Sequence, residues 1–221
     1  MPRPTRKTKP LIYVFCEGES EQAYVDFLKK SFEDFAVVNR PKATGLFEEA
    51  KDKFSKDKKY RDRAEVIDEI WFFFDVESDQ RNKWDSRLKI IKWLRKLRKK
   101  PDIKVRLLMT TACIEYWLML HYKRYAPKIE TVADKQRVLH ELQKFETDYR
   151  KGDYISTARI AEKHPIAVNN AKAVLQELLQ EGLPGLNDTD ERNKWLYNSS
   201  QTFSTVFEAI EYLKSLANDL S

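Results

Sequence analysis

Glycine is scarce in this 221-residue chain, at five residues, and cysteine scarcer, at two. Five scattered glycines form no Gly-rich phosphate loop, which argues against nucleotide-style phosphotransfer to a small molecule. Cys16 and Cys113 both sit in apolar surroundings, so they predict two buried thiols in a reducing compartment and exclude a disulfide framework. No apolar stretch approaches the roughly 20 residues that a membrane-crossing helix needs. The basic start, Arg3, Arg6, Lys7 and Lys9, resembles a signal-peptide n-region, but Glu17, Glu19 and Glu21 cut short the apolar run behind it. These absences lead us to expect a cytoplasmic protein with no membrane partner.

What is present is a substantial core. Hydrophobic residues make up 42% of the chain and 27 residues are Trp, Tyr or Phe, enough to fold without metal or disulfide staples. The net charge of +6 is unevenly spread. Between Arg81 and Lys100 ten Lys or Arg face one acid, Asp85, whereas from Val174 onward eight acids face Arg192, Lys194 and Lys214. A basic middle of this kind suits a polyanion such as nucleic acid. We therefore single out Arg81, Lys83, Arg87, Lys92, Arg95, Lys96 and Lys99 as phosphate contacts, with Lys151 and Lys172 from the later helices. An amphipathic helix with a solvated charged face is the plainer alternative.

Two acidic clusters each follow an apolar run: Leu11 to Cys16 leads into Glu17, Glu19 and Glu21, and Ile70 to Phe74 leads into Asp75, Glu77 and Asp79. Short apolar runs that end in acids read as buried parallel strands, and open α/β sheets bind ligands at the carboxyl ends of such strands. Carboxylates gathered there repel one another unless a hard divalent cation, Mg²⁺ or Mn²⁺, lies between them. If the backbone stays extended beyond Phe74, then Asp75, Glu77 and Asp79 point the same way, about 7 Å apart. The same acids would serve equally as helix caps and strand-end solubilisers.

The first half alternates strand and helix periods, which implies a mostly parallel sheet. We expect a helix over 21–33 capped by Ser20, a strand over 35–38, a helix over 46–60, a basic helix over 82–100 and a fourth strand over 104–109. An apolar helix carrying Glu115 and His121 follows, capped by Thr110 or Thr111. Glu115 thereby reaches the acidic edge, while His121, roughly 240° further round the helix, reads as a packed histidine. Beyond Pro127 the pattern is helical, over 132–149, 157–163, 166–181 and 205–217, the last with a Thr205/Glu208 capping box. The division is an α/β domain over 1–126 and a helical region over 127–221 packed on it.

A Glu after one strand and an Asp-x-Asp-like triplet after a later one resemble the TOPRIM fold. More specifically the chain resembles the RloB family of bacterial defence-associated proteins, through Cys16-Glu-Gly-Glu-Ser-Glu21, Phe74-Asp-Val-Glu77, Ile114-Glu-Tyr-Trp-Leu-Met-Leu-His121, Tyr149-Arg-Lys-Gly152, Asn170-Ala-Lys172 and Asn198-Ser-Ser, in order along nearly the whole chain. The resemblance implies a four-stranded, mostly parallel TOPRIM-like sheet flanked by helices. It also implies a Mg²⁺- or Mn²⁺-dependent nuclease of an anti-phage system acting on DNA or RNA, tRNA included. Glu17, Asp75, Glu77 and Glu115 are then the catalytic set, and Glu17, Glu21, Asp75, Glu77 and Asp79 the metal ligands; Glu77 stands where the family pattern has aspartate. A partner protein from the same locus and self-association are further expectations. A non-catalytic nucleic-acid- or protein-binding module is the alternative.

Overall fold

A computed structural model describes residues 8–98 and 100–218, with the side chains of Ser78 and Arg81 outside the description. Four strands form one parallel sheet: β1 (Leu11–Cys16), β2 (Val37–Asn39), β3 (Glu69–Val76) and β4 (Lys104–Thr111), in the order β2-β1-β3-β4. The helices are α1 (Glu19–Ser31), α2 (Phe47–Lys56), α3 (Lys58–Arg61), α4 (Trp84–Arg95), α5 (Ile114–Met119), α6 (Val132–Gln143), α7 (Tyr154–Ala161), α8 (His164–Leu178), α9 (Asp190–Asn198) and α10 (Phe207–Asn218). None of these helices is long and apolar enough to cross a membrane. A four-stranded parallel sheet flanked by helices, with a helical C-terminal part, is the expected architecture.

The apolar runs become strands because both faces of the sheet are covered, so side chains on either side of the pleat lose water. Phe72 stacks on Phe47 of α2 at 4.1 Å, while on the opposite face Phe73 meets the edge of Tyr24 in α1 at 6.1 Å. Trp71, on the same side as Phe73, meets Tyr212 of α10. One continuous hydrophobic core runs from Ile12 to Leu213 and joins the sheet to the later helices. Both cysteines are free and buried, and burial pushes both thiols up.

Several local expectations shift. Gly18, not Ser20, caps α1; the Ser20 hydroxyl instead accepts the Gly152 amide at 3.0 Å and ties α1 to the loop before α7. Asp57 breaks the segment expected as one helix over 46–60, because its side chain accepts the Lys59 amide and starts α3. The second strand begins at Val37, two residues later than expected. Thr110 and Thr111 belong to β4 rather than capping α5, whose first turn follows Cys113 without a side-chain cap. The Thr205/Glu208 capping box does not form: Thr205 Oγ1 accepts the Met109 amide (2.8 Å) and donates to the Leu107 carbonyl (2.8 Å), while Glu208 binds Arg192. Residues 203–205 thus strap the outer side of β4, with Thr110 and Ser204 bridged antiparallel.

Candidate metal centre

The carboxyl ends of β1 and β3 are adjacent because Cys16 pairs with Phe73, so Glu17 emerges beside Asp75. The Asp75 amide donates to Glu17 Oε2 at 2.9 Å, fixing one carboxylate against the other strand. Gly18 leaves room for the next approach: a Cβ there would lie 2.9 Å from Glu21 Oε2, so a larger residue would push that carboxylate aside from its place over the turn. Glu115 arrives from β4 through Ala112, whose φ of +64° costs a non-glycine residue roughly 1–2 kcal/mol. The Ala112 amide donates to the Val76 carbonyl at 3.0 Å, and this reversal swings the first turn of α5 back toward the strand ends.

Four carboxylates, Glu17, Glu21, Asp75 and Glu115, therefore act on one another. Glu21 is buried and pushed up to about 7, by desolvation first and then by the charges of Glu17 and Glu115. Asp75 is pushed well above the ordinary aspartate range, by desolvation and then by Glu21, Glu17 and Glu115. Burial also raises Glu17, against the opposing pull of the Asp75 amide and Arg87. Asp75 Oδ1 is fully enclosed and has no hydrogen-bond partner. Glu115, 1% exposed, accepts from the Tyr149 hydroxyl at 3.1 Å, and the ammonium of Lys151, itself mostly exposed, lies 3.3 Å away. The Tyr149–Gly152 segment thus brings the helical half to the acidic edge.

Glu77 borders this group, and its charge adds to those that raise Glu17. β3 ends at Val76, Glu77 keeps an extended backbone, and the chain coils into a 3-10 turn only over Ser78–Lys83, so the expected alternation holds for Asp75 and Glu77 and is lost at Asp79. Glu77 forms an ion pair with Lys135 of α6. Asp79 is exposed on the turn, and with Glu77, Thr131, Lys135 and Ser199 it lines a cleft of about 310 Å³.

The donor set suits a hard divalent cation: carboxylates only, an enclosed oxygen lacking a partner, and mutual repulsion that a cation would relieve. Among the described residues no three His, Cys, Asp or Glu side chains stand in a metal-ligating arrangement. Closing on an ion therefore requires side-chain rotation, and Glu77 would first have to leave Lys135.

The basic segment is less available than its charge count promises. Arg87 is a correction: it is buried, its guanidinium set 5.0–5.2 Å from the rings of Phe47, Phe74 and Tyr197 and donating to Gln80. Arg95 grips Asp190 through two bonds of 2.7 and 2.9 Å, Lys96 pairs with Asp102, and Lys172 pairs with Glu211. Lys83 and Lys92 are exposed, while Lys99 and the side chain of Arg81 lie outside the described residues. His121 is a packed histidine: its Nδ1 faces the Trp117 carbonyl, so Nε2 accepts from the Tyr24 hydroxyl, and burial lowers it to about 3. Lys135 and the Tyr149 hydroxyl escape sequence reasoning, the first because nothing marks it among the charges of its helix.

The family model described as RloB-like protein matches residues 12–213, so the chain belongs to the RloB-like family. No curated protein and no solved structure matches.

Proposed function

With membership of the RloB-like family as premise, we propose that the protein is a metal-dependent nuclease, hydrolysing phosphodiester bonds of DNA or RNA in bacterial anti-phage defence. The observation that carries this reading is the enclosed, partnerless Asp75 Oδ1 amid four interacting carboxylates at the carboxyl ends of parallel strands. Glu17, Glu21, Asp75 and Glu115 would hold Mg²⁺ or Mn²⁺, which when bound supplies the charge that polarises a phosphate and activates water. Around them, the Asp75 amide orients Glu17 and the Tyr149 hydroxyl orients Glu115. Lys151 presents an exposed ammonium beside Glu115, where it would meet a phosphate oxygen.

The test is a cleavage assay with Mg²⁺ or Mn²⁺ on plasmid, single-stranded DNA, total RNA and tRNA, wild type beside Asp75→Asn. Cleavage by wild type alone supports the nuclease and identifies its substrate; cleavage that survives Asp75→Asn removes it. The pairing of Glu77 with Lys135 favours a second reading, a non-catalytic nucleic-acid-binding module. Salt-sensitive binding without cleavage, unchanged in Asp75→Asn, would support that alternative.

A further inference from the structure

We propose that Lys135 is a positioning residue that keeps Glu77 out of the carboxylate cluster until a phosphodiester displaces it. The inference rests on the metal-site reading above and adds the substrate's part in assembling that site. Glu77 follows directly on the strand that carries Asp75, yet its carboxylate is bound to an ammonium from α6, 58 positions later in sequence. Each side chain is about one-third exposed, 33% for Lys135 and 35% for Glu77, so water and a dissolved anion can reach the pair. It lines the roughly 310 Å³ cleft that opens beside the cluster, with the N-terminal residues Thr131 and Val132 of the α6 region on its wall.

Charge conservation makes the exchange reasonable. In the resting arrangement Lys135 is paired with Glu77 and its charge also reaches Asp75 and Glu17, while of the four other carboxylates Glu115 alone has an ion pair among the described residues, with the exposed Lys151. A phosphodiester arriving in the cleft offers Lys135 a replacement anion. Glu77 is then free to turn toward the cluster, where a divalent cation gives it a partner in turn. Lys135 and Glu77 each exchange one opposite charge for another, and the fifth carboxylate joins only when substrate is present.

The test is Mn²⁺ binding by calorimetry on the full chain, read without turnover, for wild type, Lys135→Gln, Glu77→Gln and the double variant. Releasing Glu77 should tighten Mn²⁺ about fivefold in Lys135→Gln, the equivalent of about 1 kcal/mol for a half-exposed pair. Removing a nearby positive charge would by itself also favour Mn²⁺, and the cycle separates the two effects. If Lys135 acts by holding Glu77, the gain vanishes in the Glu77→Gln background; an equal gain there overturns the proposal. Lys135→Arg, which keeps the ion pair, should bind Mn²⁺ like wild type, and a gain in that variant would also overturn it. Dimethyl phosphate, a phosphodiester anion too inert to turn over during the titration, should tighten Mn²⁺ in wild type and not in Lys135→Gln. Mn²⁺ binding that Asp75→Asn abolishes but the cycle leaves flat would sink the holding role alone; no Mn²⁺ binding in any variant would sink the metal site with it.

Discussion

Two buried charged regions sit at different places in this molecule, and they are built on opposite principles. Beside the sheet, Glu69 receives Arg106 at 3.0 and 3.1 Å as well as the Trp71 indole N–H, and Arg192, 1% exposed, binds Glu208 and Asp188, the latter also 2.8 Å from Lys104. Every acid there has a cation; Asp188 is lowered despite its burial, chiefly through Lys104, whereas at Glu208 burial outweighs Arg192 and raises it. At the carboxyl edge Glu115 alone of Glu17, Glu21, Asp75 and Glu115 has a direct ion pair among the described residues, with the exposed Lys151; Arg87 and Lys135 act only from further off, and three of the four are raised. Buried charge that is balanced within the chain serves the fold. Buried charge left unbalanced costs stability and calls for a partner from outside.

Breaking the balanced region should have the largest effect. Arg192→Met strands Glu208 in the interior, while Asp188 keeps Lys104, and should cost about 3–5 kcal/mol in urea-induced unfolding. The unbalanced region should respond with the opposite sign. Asp75→Asn, measured near pH 7 with chelator present, should stabilise the protein by about 1–3 kcal/mol, since it removes a charge that its neighbours disfavour; a loss of stability would show that the cluster is satisfied as it stands. Divalent ions should sharpen the contrast further. At a hundred times its dissociation constant Mn²⁺ should add about 2.7 kcal/mol to wild type and far less to Asp75→Asn, read as a shift in Tm.

The pH dependence is a smaller and more specific difference. Because the folded-state value of Glu21 lies above its ordinary 4.5, at about 7, the native state holds a proton that the unfolded chain has lost between these values. Its contribution therefore falls as pH rises through that window, and the stability advantage of Glu21→Gln over wild type should grow from pH 4.5 to pH 7. A constant difference would remove Glu21 from the group. Smallest of all, Lys96→Gln, which breaks the exposed pair with Asp102, should change stability by no more than about 0.5 kcal/mol.

The strands that make the site were legible because parallel strands covered on both faces need unbroken apolar runs, and β1 and β3 have them. Glu17 and Asp75 were legible with them, as residues at the ends of those runs. Glu115 followed from its place after the fourth strand. The place of Asp79 was not legible, because the 3-10 turn beginning at Ser78 ends the extended backbone that alternation assumes, and the partner of Glu77, Lys135, lies 58 residues further along. The fate of the basic helix was hidden for another reason: Asp190, the partner of Arg95, lies 95 residues further along, and local charge counting has no access to it. The helix that brings Asp190 there was missed although a signal existed, Thr189 followed by Asp190 and Glu191, a capping residue with acids in the first turn.

The strap of residues 203–205 on β4 has a consequence for how copies of this chain can meet. A parallel sheet exposes unpaired backbone groups along two edges, and such edges recruit one another in crowded solution. Here one edge strand, β2, is only three residues long, and the other is capped by the chain's own late segment. Among the described residues the sheet therefore offers little unpaired strand backbone to another copy: the late segment occupies the β4 edge, and the β2 edge is only three residues long.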